Sequence, residues 1–276
     1  MTTIHLAHSP DSDDAFMFYA LAEGKIDTQG ITYIHALEDI ESLNQRARRG
    51  ELEVTAVSIH AYAYLTDRYA LLPHGASVGD RYGPRLVART PKTRTDVRGA
   101  RIAIPGPLTT AYLALKLYEP NFTPVPTPFD RIEAAVLAGD VDMGLLIHEG
   151  QLTYGDQGLH LVADMGEWWF GETSLPLPLG GNVIRKDLGP QLMATVSRHL
   201  RESIAYGLKH RETALTHALR YARGLEREQA DTFVGMYVND WTLDYGDRGR
   251  QAVQTLLARG TAAGIIPHEV HVEFAD

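Results

Sequence analysis

Strand-like and helix-like segments alternate through the first two thirds of this 276-residue chain, and that alternation limits the folds open to it. Short apolar runs fall at residues 4–8, 31–37, 53–59, 85–88, 101–104, 142–147 and 159–163. Segments with helical spacing lie between several of them. Residues 39–50 open on Asp39 and Glu41 and close on Arg46-Ala47-Arg48-Arg49-Gly50. Acids at the start and bases at the end complement the helix dipole, and Gly supplies the left-handed stop. Residues 14–24, 109–118 and 130–139 follow the same logic. Such alternation predicts an α/β fold with mostly parallel sheet covered by helices. From residue 189 to 264 helical spacing dominates, with a break expected near His210 and a further helix over 226–238. This block is expected to pack back onto the first unit.

Two segments punctuated by Pro or Gly, residues 88–93 and 176–181, read either as ordinary loops or as crossings between two lobes. As crossings they divide the chain into a larger lobe, residues 1–89 with 179–276, and a smaller one, residues 90–178.

Composition narrows the chemistry. A net charge of −9 argues against nucleic acid, which demands concentrated Lys and Arg. With no cysteine there is no disulfide, thiolate nucleophile or Cys-based metal centre. No apolar run approaches the ~20 residues that span a bilayer, so no membrane insertion is expected. The first residues show no signal-peptide pattern, which makes the cytoplasm the expected location.

Two turns carry the polar residues of interest. The first, Ser9-Pro10-Asp11-Ser12-Asp13-Asp14, leads from an apolar run into a helix pattern. Its acids suit a helix start, with Ser12 or Asp13 as the cap and Asp14 in the first turn. They lack the central Gly and distal Glu of a calcium loop, and no metal is expected. The second, Ile104-Pro105-Gly106-Pro107-Leu108-Thr109-Thr110, repeats the plan without acids. Thr109 and Thr110 could cap the helix or, with its free amides, bind a carboxylate. This is not a phosphate loop, and no dinucleotide fingerprint follows any strand pattern. His148 ends the buried-strand pattern Met143-Gly144-Leu145-Leu146-Ile147, at the sheet edge where α/β proteins bind ligands. It reads as a general base or as a strand-end cap. Ser58 reads as a ligand contact or a helix cap, and Trp168 and Trp169 as cleft wall or core. No nucleophile elbow is present.

Together, four stretches resemble the 1,4-dihydroxy-6-naphthoate synthase family of menaquinone biosynthesis by the futalosine pathway. They are the first turn through Phe18, Gly106-Pro107-Leu108-Thr109-Thr110-Ala111-Tyr112, Gly144-Leu145-Leu146-Ile147-His148-Glu149 and Leu175-Pro176-Leu177-Pro178-Leu179-Gly180. The resemblance extends over residues 3–265, with Tyr237-Val238-Asn239 and Asp244-Tyr245-Gly246 included. It implies a two-lobed fold like the type II periplasmic binding proteins, with a central cleft. It also implies a carbon–carbon lyase that needs no cofactor and converts cyclic dehypoxanthine futalosine, a small-molecule substrate, to 1,4-dihydroxy-6-naphthoate. It makes His148 the proton acceptor and Ala56, Val57, Ser58, Thr109, Thr110 and Ala111 substrate contacts, with Asp14 on the cleft floor. Two departures stand out. Ala56 replaces a common Lys, removing a cation for the substrate carboxylate, and Asp11 stands where a Cys is frequent. Chorismate dehydration on the same scaffold and simple solute binding are the rival readings.

Overall fold

In the computed structural model, which describes residues 2–222 and 224–276, eleven strands form two sheets. They are β1 (Thr2–His8), β2 (Ile31–Leu37), β3 (Val54–Ser58), β4 (Tyr69–Leu71), β5 (Ser77–Gly79), β6 (Arg85–Ala88), β7 (Arg101–Ile104), β8 (Thr123–Pro126), β9 (Met143–Leu146), β10 (His160–Asp164) and β11 (Leu177–Arg185). The first sheet has the order β2-β1-β3-β11-β4, with β5 also on β11; the second has the order β10-β6-β9-β7-β8.

Both sheets are mixed, which corrects the expectation of mostly parallel pairing. β1 is parallel to β2 and β3, and β7 to β8 and β9. β11 runs antiparallel to β3, β4 and β5, and β6 antiparallel to β9 and β10. The antiparallel strands enter from the other sheet, without the helical crossover that forces parallel pairing. β11 is hidden in the sequence because Pro178, Gly180 and Gly181 break its strand pattern. A register shift between Pro178 and Gly180 accommodates it against β5.

The chain therefore changes sheet elsewhere than expected. Residues 85–88 belong to the second sheet, so the first crossing is residues 80–84 and not 88–93. The second crossing ends before Leu177, because residues 177–181 already lie in β11. The two crossings run side by side. Met165 N–H donates to the Pro84 carbonyl at 2.9 Å. Here the backbones touch through glycines: a Cβ on Gly166 would lie 1.9 Å from the Tyr82 carbonyl oxygen. Trp169, fully buried, donates from Nε1 to the Pro176 carbonyl at 3.0 Å.

Local signals explain the helices. Asp39 caps Ile40–Arg49 by accepting from Glu41 N and Ser42 N, and Gly50 ends it at φ 72°. Residues 14–24 form two short helices, Ser12–Met17 and Tyr19–Ala22, divided at Phe18. Pro190–Lys209 and Arg211–Ala218 break at His210 as expected. Phe16, Met17 and Phe18 share one core with Val196, Leu200, Ile204, Leu215 and Val234, so the C-terminal helices pack onto the first unit. At about 25 cal/mol per Å² of apolar surface buried, this shared core is what fixes the first turn in place.

Candidate active site

The carboxyl ends of β1, β3 and β9, the start of the helix Thr110–Tyr118 and the middle of β11 converge on one cleft. The empty space among these walls, counting the part open to solvent, is about 740 Å³. Asp14, Ala56, Val57, Ser58, Thr109, Thr110, Ala111 and His148 all line it, as do Ser9, Asp11, Asp13, Gln151, Asn182 and Tyr237. Trp168 and Trp169 do not. Among the described lining residues there is no Lys or Arg. Ala56 therefore has no cationic substitute nearby, and its register partner on β11 is Asn182.

The first turn is built differently from the capped start expected. Asp11 occupies the N-cap position and makes no side-chain cap hydrogen bond, and neither Ser12 nor Asp13 takes that role. Instead Asp14 closes the turn backwards: its Oδ2 accepts from Ser9 N at 2.7 Å and lies 2.8 Å from Ser9 Oγ. Ser9 Oγ also lies 2.7 Å from Asp11 Oδ2. Three acids in one desolvated turn cannot all ionise cheaply. Burial pushes the Asp14 carboxyl up to about 6. Burial, reinforced by Asp14, Asp11 and Glu149, pushes Asp13 well above the usual carboxylate range.

A raised carboxylate pKa contributes stability that is complete below the unfolded value near 4 and is lost as pH rises through the folded value. Asp13→Asn removes this cost. The variant is expected to exceed wild type by on the order of 1 kcal/mol at pH 8 and to match it near pH 4, read from urea midpoints. A gap that is the same at both pH values would contradict the assignment.

His148 follows β9 with φ 151°, a region that non-glycine residues rarely occupy. Two contacts hold the ring. Nδ1 lies 2.9 Å from Asp11 Oδ2, and the Phe129 ring meets it edge-on with centroids 4.3 Å apart. Nε2 is shielded from water and has no protein partner. The Asp11–His148 contact joins the first sheet to the second across the cleft. Sequence reading left the role of Asp11 open, because no spacing rule links residues so far apart. The only signal was that each sits at a strand's carboxyl end.

The helix Thr110–Tyr118 is capped by Thr109, which accepts from Tyr112 N at 3.2 Å. The Thr110 hydroxyl is spent on scaffolding: it accepts from His60 N at 3.1 Å and donates to the Leu179 carbonyl at 2.6 Å. The groups left for an anion at this helix start are the amides of Thr110 and Ala111, as the dipole favours. Ser58 does not cap the helix Ile59–Tyr62 with its side chain. Asn44 holds it, donating from Nδ2 to Ser58 Oγ at 3.1 Å and accepting from Ser58 N at 2.8 Å. The Ser58 hydroxyl hydrogen thus remains for the cleft. Tyr237 donates to Gln151 Oε1 at 2.9 Å, and burial keeps its phenol protonated.

Asp11, His148 and Glu149 each place one possible ligand atom within 4.8 Å of the others. A cation bound there would take the place of the hydrogen shared by Asp11 and His148. Exhaustive chelation is accordingly expected to leave turnover unchanged. Loss of turnover restored by a divalent metal would overturn that expectation.

Comparison with known proteins places this site in context. The family model described as menaquinone biosynthesis matches residues 4–262. A protein of Thermus thermophilus named 1,4-dihydroxy-6-naphthoate synthase is 42% identical over 265 residues, 96% of each chain. One of the same name from Streptomyces coelicolor is 36% identical over 271 residues, 96% of this chain and 95% of that one. A crystal structure of a protein from Archaeoglobus fulgidus superposes with a TM-score of 0.92 at 49% identity, over 95% of this chain and 98% of that one. The alkanesulfonate-binding protein SsuA of Xanthomonas axonopodis, bound to MOPS, superposes at 0.67 with 15% identity, over 99% of this chain and 96% of that one. The fold is thus that of the periplasmic binding proteins, two α/β lobes around a cleft. No helix among the described residues is long and apolar enough to cross a membrane. With near-complete coverage by the family model and by the two synthases, the chain belongs to the menaquinone biosynthesis family.

Proposed function

We propose that this protein is a 1,4-dihydroxy-6-naphthoate synthase, a carbon–carbon lyase acting on cyclic dehypoxanthine futalosine. The observation that carries the reading is His148: a ring at the cleft wall, anchored through Nδ1, whose buried Nε2 has no hydrogen-bond partner in the protein. A neutral imidazole is a fitting base near neutral pH. Nε2 takes a proton from the former ribose, a carbon–carbon bond breaks, a small fragment leaves, and aromatisation of the new ring drives the reaction. The substrate carboxylate rests on the Thr110 and Ala111 amides with the Ser58 hydroxyl, without the cation that a Lys at position 56 would supply. As an enzyme of a nucleoside-derived carboxylate, it is expected in the cytoplasm.

The rivals make different predictions. Chorismate dehydration would convert chorismate with loss of water, and a solute-binding protein would return its ligand unchanged. Likeness to SsuA at 15% identity speaks only to the fold. Offering the purified protein cyclic dehypoxanthine futalosine and chorismate separately, with products read by mass, tests all three. The naphthoate product from the first alone is expected. Water loss from chorismate, or unchanged substrate in both, would overturn the reading.

A further inference from the structure

His148 Nδ1 ends a chain of short contacts that the reaction described above does not use. Asp14 Oδ2 lies 2.8 Å from Ser9 Oγ, Ser9 Oγ lies 2.7 Å from Asp11 Oδ2, and Asp11 Oδ2 lies 2.9 Å from Nδ1. Ser9, Asp11 and Asp14 are all at least nine-tenths buried. One hydroxyl hydrogen cannot serve two carboxylates at these distances. A proton on one of the two acids resolves the conflict, and the neighbours decide which. Asp11 Oδ2 is the oxygen that faces His148 Nδ1, so a proton shared within the turn is placed on Asp14, away from the ring. Burial raises that carboxyl to about 6, so the proton is held at acid pH and given up as the pH rises through that value. While that proton is held, Asp14 donates to Ser9 and Ser9 to Asp11; once it is lost, the Ser9 hydroxyl donates to one carboxylate at a time.

We propose that Asp11 and Ser9 are positioning residues, which hold His148 as its Nδ1–H tautomer and so make Nε2 the basic atom toward substrate. Their anchor matters because the backbone does not hold the ring in a relaxed geometry: φ at His148 is 151°. An ionised Asp11 also stabilises the imidazolium that forms once Nε2 has taken its proton, the task the buried Asp performs in a Ser-His-Asp triad. The inference rests on the reading of His148 as the base.

The tautomer can be measured without any substrate. Imidazole nitrogen NMR of the ¹⁵N-histidine-labelled full chain near pH 8 is the primary readout, with the His148 signal identified by its loss in His148→Gln. Wild type is expected to show the Nδ1–H form. Asp11→Ala is expected to shift His148 toward the Nε2–H form and to lower kcat by ~10²-fold with KM within ~3-fold. Asp11→Glu is expected to recover part of that loss. Ser9→Ala removes one hydroxyl and gives an independent reading: a mixed tautomer and a fall of ~10-fold in kcat. An unchanged tautomer in both Asp11→Ala and Ser9→Ala would overturn the proposal, as would kcat within ~3-fold of wild type in both. If wild type fails to convert cyclic dehypoxanthine futalosine while the tautomer shifts as described, the positioning role stands and the assigned reaction falls.

Discussion

His148→Ala is expected to lower kcat on cyclic dehypoxanthine futalosine by at least ~10²-fold while KM stays within ~3-fold. The split follows from the geometry. The ring is anchored by Asp11 and Phe129, and its Nε2 has no hydrogen-bond partner in the protein. Removing it takes away proton transfer and leaves the amides of Thr110 and Ala111 and the Ser58 hydroxyl in place to bind substrate. Steady-state kinetics with a binding measurement on the variant separates the two effects. A rise in KM at constant kcat would make His148 a binding residue and move the base elsewhere.

The second large effect concerns the crossings that join the sheets. Gly166→Ala is expected to destabilise the protein by at least ~3 kcal/mol, read from urea unfolding midpoints. Its added Cβ would lie 1.9 Å from the Tyr82 carbonyl oxygen and 2.1 Å from that carbonyl carbon. These are backbone atoms, which cannot swing away as a long side chain does. Gly83 faces the same contact, its Cβ falling 2.9 Å from Gly166 N. Gly171 lies in the same helix, Met165–Thr173, with nothing within 4 Å of its Cβ position. Gly171→Ala is therefore the control, expected to be neutral or stabilising by up to ~1 kcal/mol. Similar midpoints for the two variants would show that the crossings tolerate separation.

Much of this architecture was legible in the residues. β2, β6 and β7 match their apolar runs to the residue, and Asp39 and Gly50 bound their helix as capping chemistry requires. What escaped had physical causes. β4 and β5 are three residues long, too short for a pattern to register. β11 carries Pro178, Gly180 and Gly181, which local propensity reads as loop and tertiary pairing overrides. The second crossing was misplaced for the same reason, since β11 begins inside the segment read as a crossing.

The residues read as site candidates fall around one cleft, but the wiring among them was not legible. The eight residues expected there line one cleft, because strand ends and helix starts gather at the same sheet edges. Which atoms remain for a substrate depends on contacts between distant segments. The Thr110 hydroxyl goes to His60 and Leu179, Asp14 goes to Ser9, and Asp11 goes to His148. No spacing in the chain announces these pairings.

Conversion in the cleft is expected to depend on His148 as the base. A single-turnover incubation of cyclic dehypoxanthine futalosine with excess enzyme, wild type beside His148→Ala, with products followed by mass, tests it most directly. Wild type is predicted to yield 1,4-dihydroxy-6-naphthoate while the variant still holds unchanged substrate. Unchanged substrate with wild type, or product at equal rates from both proteins, would contradict the account.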